Sequence, residues 1–132
     1  MKLLVIDDSH DIIDLFVKVL TTIGHEVVAT DNGKDGLDLL NTQKFDAVFL
    51  DIAMPNFSGL DVIENLLKNK KLEANPVILF TASSITDIEV NDLISKGVHS
   101  CIRKPVGIET IFEKLEELGN IQYEANATRK LS

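Results

Sequence analysis

Apolar and polar positions along the chain alternate between two kinds of pattern. Lys2 to Asp7 (KLLVID) is an apolar run of strand length, and Ile12, Ile13, Phe16, Val17, Leu20 and Ile23 then recur at helical spacing until Gly24 supplies a left-handed stop. Glu26 to Thr30 (EVVAT) predicts a second strand, and after Asp31-Asn32-Gly33 a helix carries Leu37, Leu39 and Leu40. Phe45 to Leu50 predicts a third strand, followed by a helix with Leu60, Ile63, Leu66 and Leu67 for which Ser58 is the N-cap. Val77 to Thr81 (VILFT) predicts the fourth. The helix after it is announced by Thr86 and Glu89 at capping-box spacing, with Ile85 and Val90 placed as a hydrophobic staple. His99 to Ile102 makes a short fifth strand, and Ile108, Ile111, Phe112, Leu115 and Leu118 predict an amphipathic helix that Gly119 is expected to end. Beyond it the chain turns polar without apolar periodicity, so residues 1–119 read as one domain and 120–132 as a polar C-terminal tail.

Five strand-helix units predict an α/β domain with a parallel sheet covered by helices on both faces, because right-handed crossovers leave little else. Sheets of this kind bind ligands at the carboxyl ends of their strands. The first strand finishes on Asp7-Asp8, the third on Asp51, the fourth on Thr81, and the fifth leads into Lys104-Pro105, whereas the second offers only Thr30 and Asp31. Each has an ordinary explanation alone: acids favour a helix N-terminus, threonine suits a strand, and a lysine is usually solvated. Asp51 is the hardest to explain so, since the run Ala47-Val48-Phe49-Leu50 has the continuous apolar character of a strand buried on both faces, yet stops on a carboxylate.

Were the strands that carry them neighbours, the three carboxylates would gather on one rim and repel by a few kcal/mol per pair at ~5 Å and an effective dielectric near 20. A cation belongs among them. Hard oxygen ligands without a neighbouring His or Cys suit Mg²⁺, which takes one or two carboxylates, several waters and a phosphate oxygen. Asp51 is then placed to be an in-line nucleophile towards phosphorus, with Lys104 neutralising charge on the phosphoryl group.

Composition narrows the alternatives. The 132 residues, 45% of them hydrophobic, are enough for one self-sufficient core. Thirteen Lys and Arg against 21 Asp and Glu give a net charge of −8, which repels nucleic-acid backbones and anionic membranes, so neither is an expected partner. The single Cys101 has no disulfide partner, and the apolar run from Leu3 meets Asp7 too early for a signal peptide or membrane span, so a cytoplasmic setting is expected. His10, His25 and His99 lack metal-ligand spacing, and Asn126-Ala127-Thr128 is read as a chance sequon. The polar stretch after Gly119 is too short for a DNA-binding module, so output by protein contact is expected.

The residues resemble the receiver domains of two-component response regulators, and in particular the small stand-alone type related to the chemotaxis regulator. The likeness spans Met1 to Gly119 and rests on Asp7-Asp8-Ser9, the DxxMPxxxG pattern from Asp51 to Gly59, Thr81-Ala82 and Lys104-Pro105. It implies a doubly wound, flavodoxin-like (βα)5 fold with strand order 2-1-3-4-5, which makes the acid-bearing strands neighbours. It implies Asp51 as phosphoacceptor; Mg²⁺ (or Mn²⁺) on Asp8, Asp51 and the backbone carbonyl of Ala53, with Asp7 acting through a bound water; and Thr81, Ala82 and Lys104 as the phosphoryl-binding and switch residues. A cis peptide before Pro105 is implied as well. The phosphoryl donor would be a histidine kinase or phosphotransfer protein. The signal would pass to a downstream protein target through the surface of the fourth helix, fifth strand and fifth helix, by a monomer or a phosphorylation-dependent homodimer that catalyses only its own phosphorylation and dephosphorylation.

Two positions depart from the family pattern. Cys101 stands where the family usually has an aromatic switch residue, and Ala53, with Ser83, occupies two positions that tune phosphoryl lifetime. Rival classes fit less well. A haloacid-dehalogenase-like phosphatase wants DxD closing its first strand, a toprim-like domain wants DxD after a later one, and a dinucleotide binder wants glycines in its first loop; none is present. A purely structural, degenerate receiver would lack part of the polar set.

Overall fold

The computed structural model describes residues 1–81, 85–105 and 107–131, with side chains described as far as Gly119. Ala82 and Ser83 lie outside the described residues. Ten elements alternate: β1 (Lys2–Ile6), α1 (His10–Thr22), β2 (Glu26–Thr30), α2 (Gly33–Thr42), β3 (Ala47–Asp51), α3 (Gly59–Lys68), β4 (Val77–Thr81), α4 (Asp87–Ser95), β5 (Ser100–Arg103) and α5 (Ile108–Leu131). The strands pair in parallel in the order β2-β1-β3-β4-β5, as expected. Among the described residues, no helix is long and apolar enough to cross a membrane.

The helix ends follow from local chemistry. Gly24 adopts φ +99°, where a side chain would be strained, and so stops α1. Ser58 caps α3 in a reciprocal box with Asp61, and Thr86 does the same for α4 with Glu89. Asn32 caps α2 by accepting from the Asp35 amide. Strand bounds differ from expectation by one or two residues. β3 begins at Ala47 because the Phe45 amide is taken by the side chain of Asn75, at 2.8 Å, instead of a strand neighbour. It keeps Asp51 because that residue still pairs with Phe80.

The helix end expected at Gly119 is corrected: α5 continues to Leu131. Gly119 has no positive φ, and half of residues 120–131 are Ala, Gln, Glu, Arg or Lys, good helix formers that continue the helix without an apolar stripe.

Two apolar layers flank the sheet. Leu4, Ile6, Val48, Leu50, Val77 and Leu79 face Leu40, Val62, Ile63, Leu66 and Leu93 on the side of α2, α3 and α4. Leu3, Val5, Ala47, Phe49, Ile78, Phe80 and Ile102 face Phe16, Leu20, Ile111 and Leu115 on the side of α1 and α5. Phe16 packs its ring edge-on to Phe49 at 5.3 Å and tilts against Phe80 at 5.2 Å. Each fully buried Leu, Ile or Phe contributes roughly 1.5–3 kcal/mol, so the strand ends are anchored in a stiff layer.

Candidate functional site

Strand parity decides which side chains meet. Successive residues of a strand point to opposite faces, so Asp7 continues the face of Leu3 and Val5, Asp51 that of Ala47 and Phe49, and Lys104 that of Ile102. The register pairs Val5 with Phe49 and Ile6 with Leu50, which leaves Asp7 and Asp51 next in line on adjacent strands. These groups therefore emerge together above the Phe49–Phe80 layer. Thr81, buried at the end of β4, takes the opposite parity, that of Val77 and Leu79, and its carbonyl accepts from the Lys104 amide at 2.9 Å.

Carboxylate oxygens of Asp7, Asp8 and Asp51 all lie within 4.8 Å of one another. Asp7 is 0% exposed and Asp51 3%, whereas Asp8 faces solvent. Asp7 accepts from the Ser9 amide on Oδ1, at 2.8 Å, and from Lys104 Nζ on Oδ2, at 3.2 Å. Lys104 Nζ also lies 3.6 Å from Asp51 Oδ2 and 5.2 Å from the centre of the Phe80 ring. Asp51 Oδ1 accepts from the Ala53 amide at 3.3 Å. The peptide between Lys104 and Pro105 is cis.

Burial pushes the Asp51 carboxyl up from its ordinary value near 3.8 to about 6, and the charge of Asp7 adds to the rise; Lys104 and the Ala53 amide oppose it, and Asp8 raises it further. The site is thus short of positive charge. One ammonium faces three acids, and hard oxygens with no His or Cys among them match a small divalent cation in both number and kind.

Gly59 lets the loop after β3 close over this rim. A Cβ there would lie 2.3 Å from the Asp51 carbonyl oxygen, so only glycine permits the approach.

A family model for the response regulator receiver domain matches residues 3–116. The chain belongs to the response regulator receiver domain family. Receiver domains are phosphoaccepting signalling domains that bind Mg²⁺ at an acidic pocket. Protein PilH of Pseudomonas aeruginosa is 32% identical over 116 residues, covering 86% of this chain and 93% of PilH. A chemotaxis protein CheY homologue of Campylobacter jejuni is 33% identical over 120 residues, covering 89% and 92%. Among solved structures, response regulator protein TrrA from Thermotoga maritima, in complex with Mg²⁺ and BeF, superposes with a TM-score of 0.74 at 32% identity, covering 89% of this chain and 97% of TrrA. Both PilH and the CheY homologue are thus matched over nearly their whole length, which makes this a chemotaxis-type receiver domain.

The other candidates fall elsewhere. His10 meets Asp31 at 3.1 Å on the exposed surface. His25 and His99 sit at the entrances of β2 and β5, on the opposite rim, where burial, followed by the N-terminal ammonium, lowers the His25 pKa. Cys101 is half-buried, shares the parity of Thr81, and burial pushes its thiol up, away from thiolate reactivity. One tertiary contact had no sequence signal: the Arg103–Asp87 ion pair at 2.9 Å, which ties the end of β5 to the start of α4.

Proposed function

We propose that this receiver domain accepts a phosphoryl group on Asp51 from a histidine kinase or phosphotransfer protein and passes the signal to a protein partner by shifting its α4-β5-α5 surface. One observation carries the proposal. A carboxylate on a rigid strand, with a raised pKa, stands between a lysine and two further acids on the rim where open α/β sheets bind ligands. At neutral pH a carboxyl with a pKa of about 6 is mostly ionised, so an Asp51 oxygen can attack phosphorus in line. The new bond is O–P; the bond that breaks joins phosphorus to the donor, which leaves with that electron pair and takes up a proton from solvent.

Asp8, Asp51 and the Ala53 carbonyl would hold Mg²⁺ or Mn²⁺. When bound, the ion supplies neutralising charge to the acids and the phosphoryl oxygens. Asp7 already uses both oxygens on Ser9 and Lys104, which favours a role through a metal-bound water over direct ligation. Lys104 is positioned to turn from Asp7 to the phosphoryl group. Thr81, one strand over, would follow the new charge of about −1.5 to −2, carrying the loop before α4 with it. At Cys101 there is no aromatic ring to rotate, so the relay runs through Thr81 and α4. Moving such a switch from 1% to 99% occupancy takes roughly 5.5 kcal/mol of bias. A cytoplasmic location, as a monomer or as a dimer formed on phosphorylation, accords with this role.

Incubation with phosphoramidate and Mg²⁺ followed by intact-mass measurement tests the proposal. One added phosphoryl that is absent from Asp51→Asn supports it, and turnover of external phosphoesters points to a phosphatase instead.

A further inference from the structure

Among the described residues, one large apolar side chain stands almost wholly in solvent: Ile88, in the first turn of α4, is 82% exposed. It borders a cleft of ≈ 430 Å³ between α3 and α4, lined by Leu60, Ile85, Ile88, Glu89, Asp92 and Leu93. Leu60 is itself 40% exposed, while Ile85 and Leu93 are rooted in the core and form the base. The charged lining is acidic throughout. Glu64, four residues on from Leu60 on the same helical face, and Asp87, at the head of α4, extend that acidity. Two of these acids already hold a cation, Asp92 with Lys96 at 2.9 Å and Asp87 with Arg103 at 2.9 Å, so the uncompensated charge beside the cleft is that of Glu89 and Glu64, with Lys68 a turn further along α3.

We infer that this cleft docks a basic amphipathic helix of another protein. Its apolar side chains would fill the trough over Ile85 and Leu93, and its Lys and Arg residues would meet Glu89 and, by taking the place of Lys96, Asp92. An apolar trough between two helices accepts a helix face, and complementary charge along the rim steers and orients it. A second copy of this chain fits less well, since a net charge of −8 brings like charge to an acidic rim. The inference deepens the phosphoacceptor reading and rests on it for regulation. Ile85 and the cap residue Thr86 follow Thr81 by four and five positions, so a pull on Thr81 reaches the base of the cleft and the head of α4.

Methyl-labelled protein titrated with a synthetic helical Leu/Lys peptide, and with a matched Leu/Glu peptide, tests it by NMR. Methyl shifts at Leu60, Ile85, Ile88 and Leu93 with the basic peptide only, weakened about ten-fold or more by Ile88→Ser, support it. Phe112→Ser, which alters the separate cleft of Met1, Ile23 and Leu115, should change nothing. Shifts centred on that other cleft, or binding indifferent to Ile88→Ser, overturn it. Self-association that Ile88→Ser abolishes, with no peptide response, also overturns it by making a second copy the occupant. The two readings separate cleanly: a peptide seated over Ile88 in a protein whose Asp51 takes no phosphoryl group sustains the cleft and sinks the phosphoacceptor, and the reverse pattern sinks the cleft.

Discussion

Lys104 Nζ lies 3.2 Å from Asp7 Oδ2, and Asp51 is its second neighbour at 3.6 Å. The ammonium is thus shared between an acid buried at the end of β1 and the proposed acceptor at the end of β3.

Replacing it should expose the repulsion it now offsets. Lys104→Met is expected to raise the Asp51 pKa above about 6, because the lysine is the largest charge holding it down. Carbon-13 titration of the Asp51 carboxyl reads this directly; an unmoved or lowered pKa contradicts the geometry.

The same carboxyl gives a pH signature. In the folded protein Asp51 titrates near 6, surrounded by Asp7, Asp8 and Lys104, and in the unfolded chain near 3.8. Between these values the folded state binds more protons, so stability falls as pH rises from about 4 to about 6, and the penalty is fully present above that window. Asp51→Asn should therefore stabilise the metal-free protein at pH 7 by about 1–3 kcal/mol and be nearly neutral below pH 4. Urea unfolding across the range checks both limbs, and a stabilisation that persists undiminished in acid would falsify the assignment.

Gly59→Ala places a methyl group 2.3 Å from the Asp51 carbonyl oxygen and 2.8 Å from the Ile52 Cα, neither of which is a flexible side-chain end. A loss of ~1–3 kcal/mol is expected, as for overpacking elsewhere. Gly107→Ala is the control, since a Cβ there meets nothing within 4 Å, and it should stay within about 0.5 kcal/mol of the parent. Equal effects at the two positions in denaturant melts would show that the loop after β3 is not closed on Asp51.

How much of this was legible in the sequence depended on whether a signal was local. Asp51 could be found because a carboxylate ending the run from Ala47 to Leu50 breaks the pattern of a buried strand, and parity then carries it to the same face as Asp7. Ser58 and Thr86 could be found because a cap is a contact between residues three apart. The continuation of α5 past Gly119 was missed because helix propensity without an apolar stripe leaves no periodicity to read. Arg103 and Asp87 could not be paired in advance: exposed charges far apart in the chain have no spacing rule, and only the packed positions of α4 and β5 bring them together.

Asp8 is the exposed member of the acid cluster and carries little of the core, so it separates metal binding from folding. Mg²⁺ at about 100 times its dissociation constant should stabilise the protein by about 2.7 kcal/mol. Asp8→Asn should remove most of that gain while leaving metal-free stability close to the parent. Thermal melts with and without Mg²⁺ decide it, and an equal gain in the variant would place the ion elsewhere.

The most direct test is a crystal grown with Mn²⁺ and beryllofluoride and examined by anomalous scattering. The account predicts a single metal peak touching Asp8 and Asp51, with the beryllium group on Asp51 and the Lys104 ammonium turned towards its fluorines. A metal that avoids Asp51, or an adduct on Asp7 or any other carboxylate, contradicts it.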